Sequence, residues 1–143
     1  MAGKNSSNFV VDASCLIKWV GLEVDNFAEA EKLRLDFVSG KINILILALT
    51  LWELGNYLGR NLDPAKATST VSHFQSYKLC QTLLPLKTAS LSFQIMQKHP
   101  SVSFYDASYH ALAISENATF LTCDKKYYEK TKRLGHIKLL KDY

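Results

Sequence analysis

Ser103-Phe-Tyr-Asp106-Ala-Ser-Tyr-His-Ala-Leu-Ala113 reads as a helix capped by a serine, with one carboxylate near its first turn. Ala107, Ala111 and Ile114 give it a slim inner face, which allows close packing on a sheet. Five short apolar runs are candidates for that sheet: Phe9 to Val11, Ile44 to Leu47, the weaker Leu83-Leu84 ended by Pro85, Thr119 to Cys123, and Ile137 to Leu140. Runs of this length without polar alternation are typical of strands buried on both faces of a parallel sheet.

Helical segments fill the intervals. Asn26 and Glu29 resemble a capping box ahead of Phe27, Ala30, Leu33 and Phe37, and Ser39-Gly40 stops that helix. Thr50 and Glu53 have the same form ahead of a helix reaching about Arg60. Asp63-Pro64 starts another, with the aspartate as N-cap and the proline as first helical residue. Thr88 to about Gln97 is a helix broken by His99-Pro100, and Asp124 opens a basic, tyrosine-containing one that ends at Leu134-Gly135. Strand and helix alternate without repeats or linkers, so the pattern predicts a single three-layer α/β/α domain over residues 1–143 with a mostly parallel sheet of about five strands. Met1 to Asn8 is polar, carries no apolar core of a secretory signal, and is expected to be a flexible tail.

Composition excludes several classes. With 143 residues, 48% hydrophobic and 21% charged, the chain is long enough for one core and too ordinary for a disordered or membrane protein. Its longest nearly uncharged run, Ile42 to Trp52, is short of the roughly 20 residues a bilayer span needs. Cys15, Cys80 and Cys123 are an odd set without C-x-x-C spacing, which argues against a disulfide framework or a cysteine zinc site and fits a reducing cytoplasm. His73, His99, His110 and His136 have no zinc-ligand spacing and read as partly exposed histidines. A net charge of +4, weighted toward the C-terminus, tilts the chain mildly toward polyanions, although from charge alone a solvated helix face is the better explanation of such lysines.

Four acids stand where chemistry is expected. Asp12 and Asp124 follow strands, and Glu53 and Asp106 open helices at what should be the same sheet edge, where ligands of parallel α/β sheets gather. Several carboxylates together suit a hard cation such as Mg²⁺ and can share it with phosphate oxygens. Capping competes with this reading, because Glu53 and Asp106 occupy the third position of capping boxes and Asp124 can itself be an N-cap.

Val10-Val11-Asp12-Ala-Ser14, Leu51-Trp-Glu53-Leu-Gly-Asn56, Tyr105-Asp106-Ala-Ser-Tyr-His-Ala-Leu-Ala113 and Leu121-Thr-Cys-Asp124-Lys together resemble the PIN-domain ribonucleases, most nearly the VapC-type toxins of VapBC toxin-antitoxin systems. The likeness runs through nearly the whole chain in the right order. It implies a PIN-like fold, Asp12, Glu53, Asp106 and Asp124 as catalytic metal ligands, Mg²⁺ or Mn²⁺ as cofactor, and RNA as substrate, with 5′-phosphate and 3′-hydroxyl products. It also implies a homodimer and a small antitoxin whose C-terminal segment occupies the site. One departure is visible: a proline often precedes the helix bearing the second acid, and here that segment reads Leu47-Ala-Leu-Thr50.

Supporting residues follow from spacing. Ser14 is placed to bond a metal-bound water or a phosphate, or to cap a helix; Asn56 lies one turn after Glu53; Thr122 shares a strand side with Asp124. Lys125, Lys126, Lys130 and Arg60 are candidate phosphate contacts, and Tyr105, Tyr109, Tyr127 and Tyr128 are candidate stacking or core aromatics. Two rivals to a metal-dependent ribonuclease are a catalytically inactive PIN-like scaffold that binds RNA or protein, and an α/β phosphatase, against which Asp12 lacks an Asp-x-Asp partner.

Overall fold

Val10 and Val11, both fully buried, point to opposite faces of the central strand and seed two separate cores, the arrangement that the period of two predicts for a strand covered on both sides. The computed structural model describes residues 7–143. Its strands are β1 (Ser7–Val11), β2 (Ile42–Leu47), β3 (Cys80–Thr82), β4 (Thr119–Thr122) and β5 (Ile137–Leu139). They form one sheet in the order β3-β2-β1-β4-β5, and every neighbouring pair is parallel.

The helices are α1 (Ala13–Ile17), α2 (Phe27–Val38), α3 (Ala48–Asn61), α4 (Pro64–Ser76), α5 (Leu86–Lys98), α6 (Phe104–Ser115) and α7 (Lys125–Thr131). Cys15, Leu16, Leu33, Leu54, Leu58 and Phe74 from α1 to α4 meet Val11, Ile44, Ile46 and Leu121 on one face of the sheet. Residues of α5 to α7, among them Ile95, Tyr109, Leu112 and Tyr127, meet Val10, Leu47 and Phe120 on the other. The result is the expected three-layer α/β/α architecture. Strand order reverses between β1 and β4, so a crevice opens beyond their carboxyl ends, the place where open α/β sheets receive ligands. Among the described residues no helix is long and apolar enough to cross a membrane.

Several boundaries differ from the sequence reading. The third strand is Cys80–Thr82, paired with Leu45 to Leu47; Leu83 and Leu84 run past the last pair and are 80% and 51% exposed. Ser7 and Asn8, expected in a flexible tail, pair with Ile42 and Asn43; residues 1–6 of that tail lie outside the described residues. The fourth strand stops at Thr122, and Leu140 belongs to a closing 3-10 turn instead of the fifth strand. Asn26 adopts a left-handed conformation with φ of 57° and makes no side-chain cap, so the capping box ahead of α2 does not form. Helix α3 begins at Ala48, and α5 begins at Leu86 directly after Pro85. The short helix α1 follows β1 directly, and its cap is Asp12, not Ser14.

Candidate active site

Asp12 is where β1 turns into α1. Its carboxylate caps that helix, and buried there it gathers three donors. The Ser14 hydroxyl and the Cys15 amide, the latter at 3.4 Å, donate to Oδ1, while the Thr122 hydroxyl donates to Oδ2 at 2.6 Å. Burial raises the pKa of Asp12, those three bonds lower it, and the charge of Asp106 raises it further, with a net rise. Thr122 also accepts the Asp124 amide at 3.1 Å, and Ser14 accepts the Cys123 amide at 3.1 Å. The ends of β1 and β4 are therefore laced together through the two hydroxyls that the sequence singled out.

Asp124 is exposed and caps α7 by accepting the Tyr127 amide at 3.0 Å. Asp106 is the third residue of α6, and its amide is capped by Ser103 Oγ at 3.1 Å. Half-burial and the nearby charge of Asp124 lift its pKa, against the Ser103 bond. Glu53 is different. Because α3 starts at Ala48, Glu53 is its sixth residue, so capping explains nothing about it; Thr50, expected as the cap, spends its hydroxyl on Tyr109 at 2.9 Å. Burial lifts the Glu53 carboxyl to about 7, the charges of Asp12 and Asp106 add to the rise, and the Tyr109 hydroxyl opposes it.

Three of the acids thus sense another: Glu53 senses Asp12 and Asp106, Asp12 senses Asp106, and Asp106 senses Asp124. Four carboxylates near one another cost free energy unless a cation or protons offset them. Their oxygens are the donor type a hard divalent cation takes. Among the described residues no three His, Cys, Asp or Glu side chains form a group that could hold a metal ion as they stand. The donor chemistry of the four carboxylates suits such an ion, although their side chains do not stand as a ready three-ligand group.

Around this centre the other predicted residues are distributed unevenly. Lys125 and Lys126 are exposed in the first turn of α7 beside Asp124, and Lys130 reaches back to Ser101 Oγ at 2.7 Å, just ahead of the Ser103 cap. Asn56 is exposed, one turn along α3 from Glu53. Arg60 is exposed in the last turn of α3, seven residues and so about 10 Å along the axis from Glu53. His110 is not the partly exposed residue its sequence context suggested. Fully buried, it engages Gly135 O at 2.7 Å through Nε2 and the Tyr127 hydroxyl at 2.9 Å through Nδ1, and burial lowers its pKa. The sequence reading missed the buried pair Thr50 and Tyr109; the signal available was that each lies three residues from an acid.

Trp52 and Tyr105 stand immediately before Glu53 and Asp106 and are 78% and 60% exposed. Tyr105, Ala48, Leu49, Leu83 and Leu84 help line an apolar cleft of about 220 Å³ between α3, the β3–α5 connection and α6.

No curated protein sequence matches the chain. Solved structures with the same fold include VapBC2 from Rickettsia felis bound to a DNA fragment from their promoter, at 18% identity over 92% of this chain and 96% of that one, with a TM-score of 0.69. PAE2754 from Pyrobaculum aerophilum is similar at 24% identity over 99% and 90% of the two chains, with a TM-score of 0.66. VapC20 from Mycobacterium tuberculosis, described as a sarcin-ricin loop cleaving toxin, is similar at 14% identity over 85% and 93%, with a TM-score of 0.64. The sequence model of the PIN domain matches residues 9–133, most of the length and all four acids, and the chain therefore belongs to the PIN domain family.

Proposed function

We propose that the protein is a divalent-metal-dependent endoribonuclease and the toxin of a toxin-antitoxin pair. The observation that carries this reading is the set of four acids at the switch-point edge of a PIN-family sheet, three of which feel the charge of a neighbour in the set. In it Asp12 and Asp106 are direct ligands of Mg²⁺ or Mn²⁺, and Glu53 and Asp124 are ligands or acids that orient them. When bound, the cation lowers the pKa of a water and stabilises charge developing on the scissile phosphate. The chain's own residues do the rest: Ser14 and Thr122 fix the Asp12 carboxylate from both sides, and Lys125 and Lys126 offer positive charge to the RNA backbone. Likeness to VapC20 and to the toxin of VapBC2 supports an RNA substrate and a small antitoxin partner.

A metal-titrated RNA cleavage assay tests the proposal. Cleavage that appears with Mg²⁺ or Mn²⁺ and stops with EDTA supports it. Binding of RNA without cleavage at any metal concentration would favour the inactive scaffold.

Lys125→Ala, Lys126→Ala and Lys130→Ala combined should weaken RNA binding and flatten its salt dependence, by about one unit of slope for each phosphate no longer neutralised. A slope equal to wild type removes α7 from the RNA surface. The exposed apolar side chains Leu83, Leu84 and Tyr105 around the cleft are the surface we assign to a homodimer. Sedimentation should give a dimer at micromolar concentration and a monomer for Leu83→Glu; a wild-type monomer argues against this face.

Proton linkage gives a further expectation. The Glu53 pKa is raised from its ordinary 4.5 to about 7 in the folded protein, so its contribution to stability is full below pH 4.5 and is lost as pH rises through about 7. A cation must displace that proton. The rise in melting temperature on adding Mg²⁺ should therefore grow between pH 5 and 8, relative to EDTA controls at each pH. A metal effect independent of pH over this window would detach Glu53 from the binding site.

A further inference from the structure

On α3, Thr50 and Glu53 are three residues apart, and on α6, Asp106 and Tyr109 are three apart, so each helix carries an acid and a hydroxyl on one face. The two hydroxyls meet at 2.9 Å. Both residues are buried, Thr50 completely and Tyr109 to within 1%. Helix α3 packs through Leu54 and Leu58 into the core on one side of the sheet, whereas Tyr109 belongs to the core on the other. Their bond therefore passes between the two helical layers over the carboxyl edge of the sheet. It ties the helix bearing Glu53 to the helix bearing Asp106.

The Tyr109 ring is fixed by stacking on Phe120 at 5.6 Å and 10°, so its hydroxyl is placed by the core and not by solvent. Glu53 stands three residues after Thr50 and Asp106 three residues before Tyr109, so this one bond fixes how the two acid-bearing helix faces stand relative to each other.

We infer that Tyr109 is a positioning residue of the acidic site: held by Thr50 across the two layers, it sets how the helix bearing Glu53 stands relative to the helix bearing Asp106 for a divalent cation. The inference rests on the reading of the site as metal-binding. A purely structural bridge between layers would lower the melting temperature when cut but leave metal affinity unchanged.

The test is Mn²⁺ binding to the full chain, followed by the paramagnetic resonance signal of free Mn²⁺, for wild type, Tyr109→Phe, Thr50→Val and Thr50→Ser. Tyr109→Phe keeps the stacked ring and removes only the hydroxyl. It should weaken Mn²⁺ binding about 10- to 100-fold, the range for losing a group that orients a metal ligand. Thr50→Val should weaken it in the same direction, and Thr50→Ser, which retains the hydroxyl, should bind close to wild type. Wild-type affinity in Tyr109→Phe overturns the inference, as does a Thr50→Ser protein as weak as Thr50→Val. Should Tyr109→Phe not fold, the two Thr50 variants decide alone. A wild-type protein that binds no Mn²⁺ refutes the metal site itself, so the two failures are distinct.

Discussion

Asp106→Asn is expected to remove RNA cleavage, by at least about 100-fold, while leaving the metal-free protein as stable as wild type or more so. Two effects oppose each other. Asp106 is the third residue of α6, where a negative charge favours the helix dipole by about 0.3–1 kcal/mol. Against this, half-burial and the charge of Asp124 raise its pKa, which means that the folded state holds the ionised form less well than the unfolded chain does. The contribution of a raised carboxyl is full below its ordinary pKa and lost as pH rises through the folded value, so at pH 8 the cost of ionisation is fully present and asparagine escapes it. Ser103 Oγ accepts the backbone amide of residue 106, so the cap survives the substitution. Melting curves with EDTA and with Mg²⁺, paired with a cleavage gel, separate the alternatives. A site gives a mutant that is not destabilised, does not cleave, and gains less from metal. Capping alone gives a mutant that is destabilised and a metal effect of zero in both proteins. A mutant that cleaves like wild type and melts identically with or without metal ends the metal-site reading.

What could be read from the sequence was whatever is decided over three or four residues. Ser103, Asp63 and Asp124 are all N-caps in the structure because each side chain has only to reach an amide three residues on. Thr50 and Glu53 display the same local pattern, yet the Thr50 hydroxyl is taken by Tyr109, a partner 59 residues away, and the helix starts three residues earlier than a Thr50 cap implies, without a side-chain cap. No local pattern contains that competition. His110 was misplaced for a related reason: its burial is made acceptable by Gly135 and Tyr127, which arrive from a later part of the chain. The third strand was read too late because Leu83 and Leu84 are more apolar than Cys80–Thr82; pairing with β2, and not hydrophobicity, selects the edge strand. The acids themselves were legible because strand ends were legible, and in a parallel sheet strand ends share one edge. Which acid is a cap and which is not emerged only with the true start of α3.

Phe120→Ala should be the most damaging single truncation near the site, costing about 3–5 kcal/mol out of a total of about 5–15 for a domain of this kind. Phe120 is 1% exposed on β4, between β1 and β5. Its ring stacks on Tyr109 at 5.6 Å, meets Tyr127 edge-on at 5.9 Å and lies 6.1 Å from His110. Removing it takes the apolar burial of a whole ring, its aromatic packing and the support of three neighbours whose polar ends are already committed. Those commitments limit collapse into the cavity: Tyr109 is held by Thr50, and His110 by Tyr127 and Gly135, so the walls cannot close without breaking buried hydrogen bonds. The cost should therefore fall at the upper end of the range for Phe→Ala. Urea unfolding of wild type and mutant measures it as a lower midpoint with an unchanged slope. A loss below about 1.5 kcal/mol would mean that the cluster relaxes freely, contrary to the hydrogen bonds that bracket it. Because the same ring seats Tyr109, the folded fraction of this mutant should also bind Mn²⁺ more weakly. Phe120→Leu, which refills most of the volume, should recover more stability than metal affinity, since leucine fills space but gives the tyrosine no flat surface to stack on.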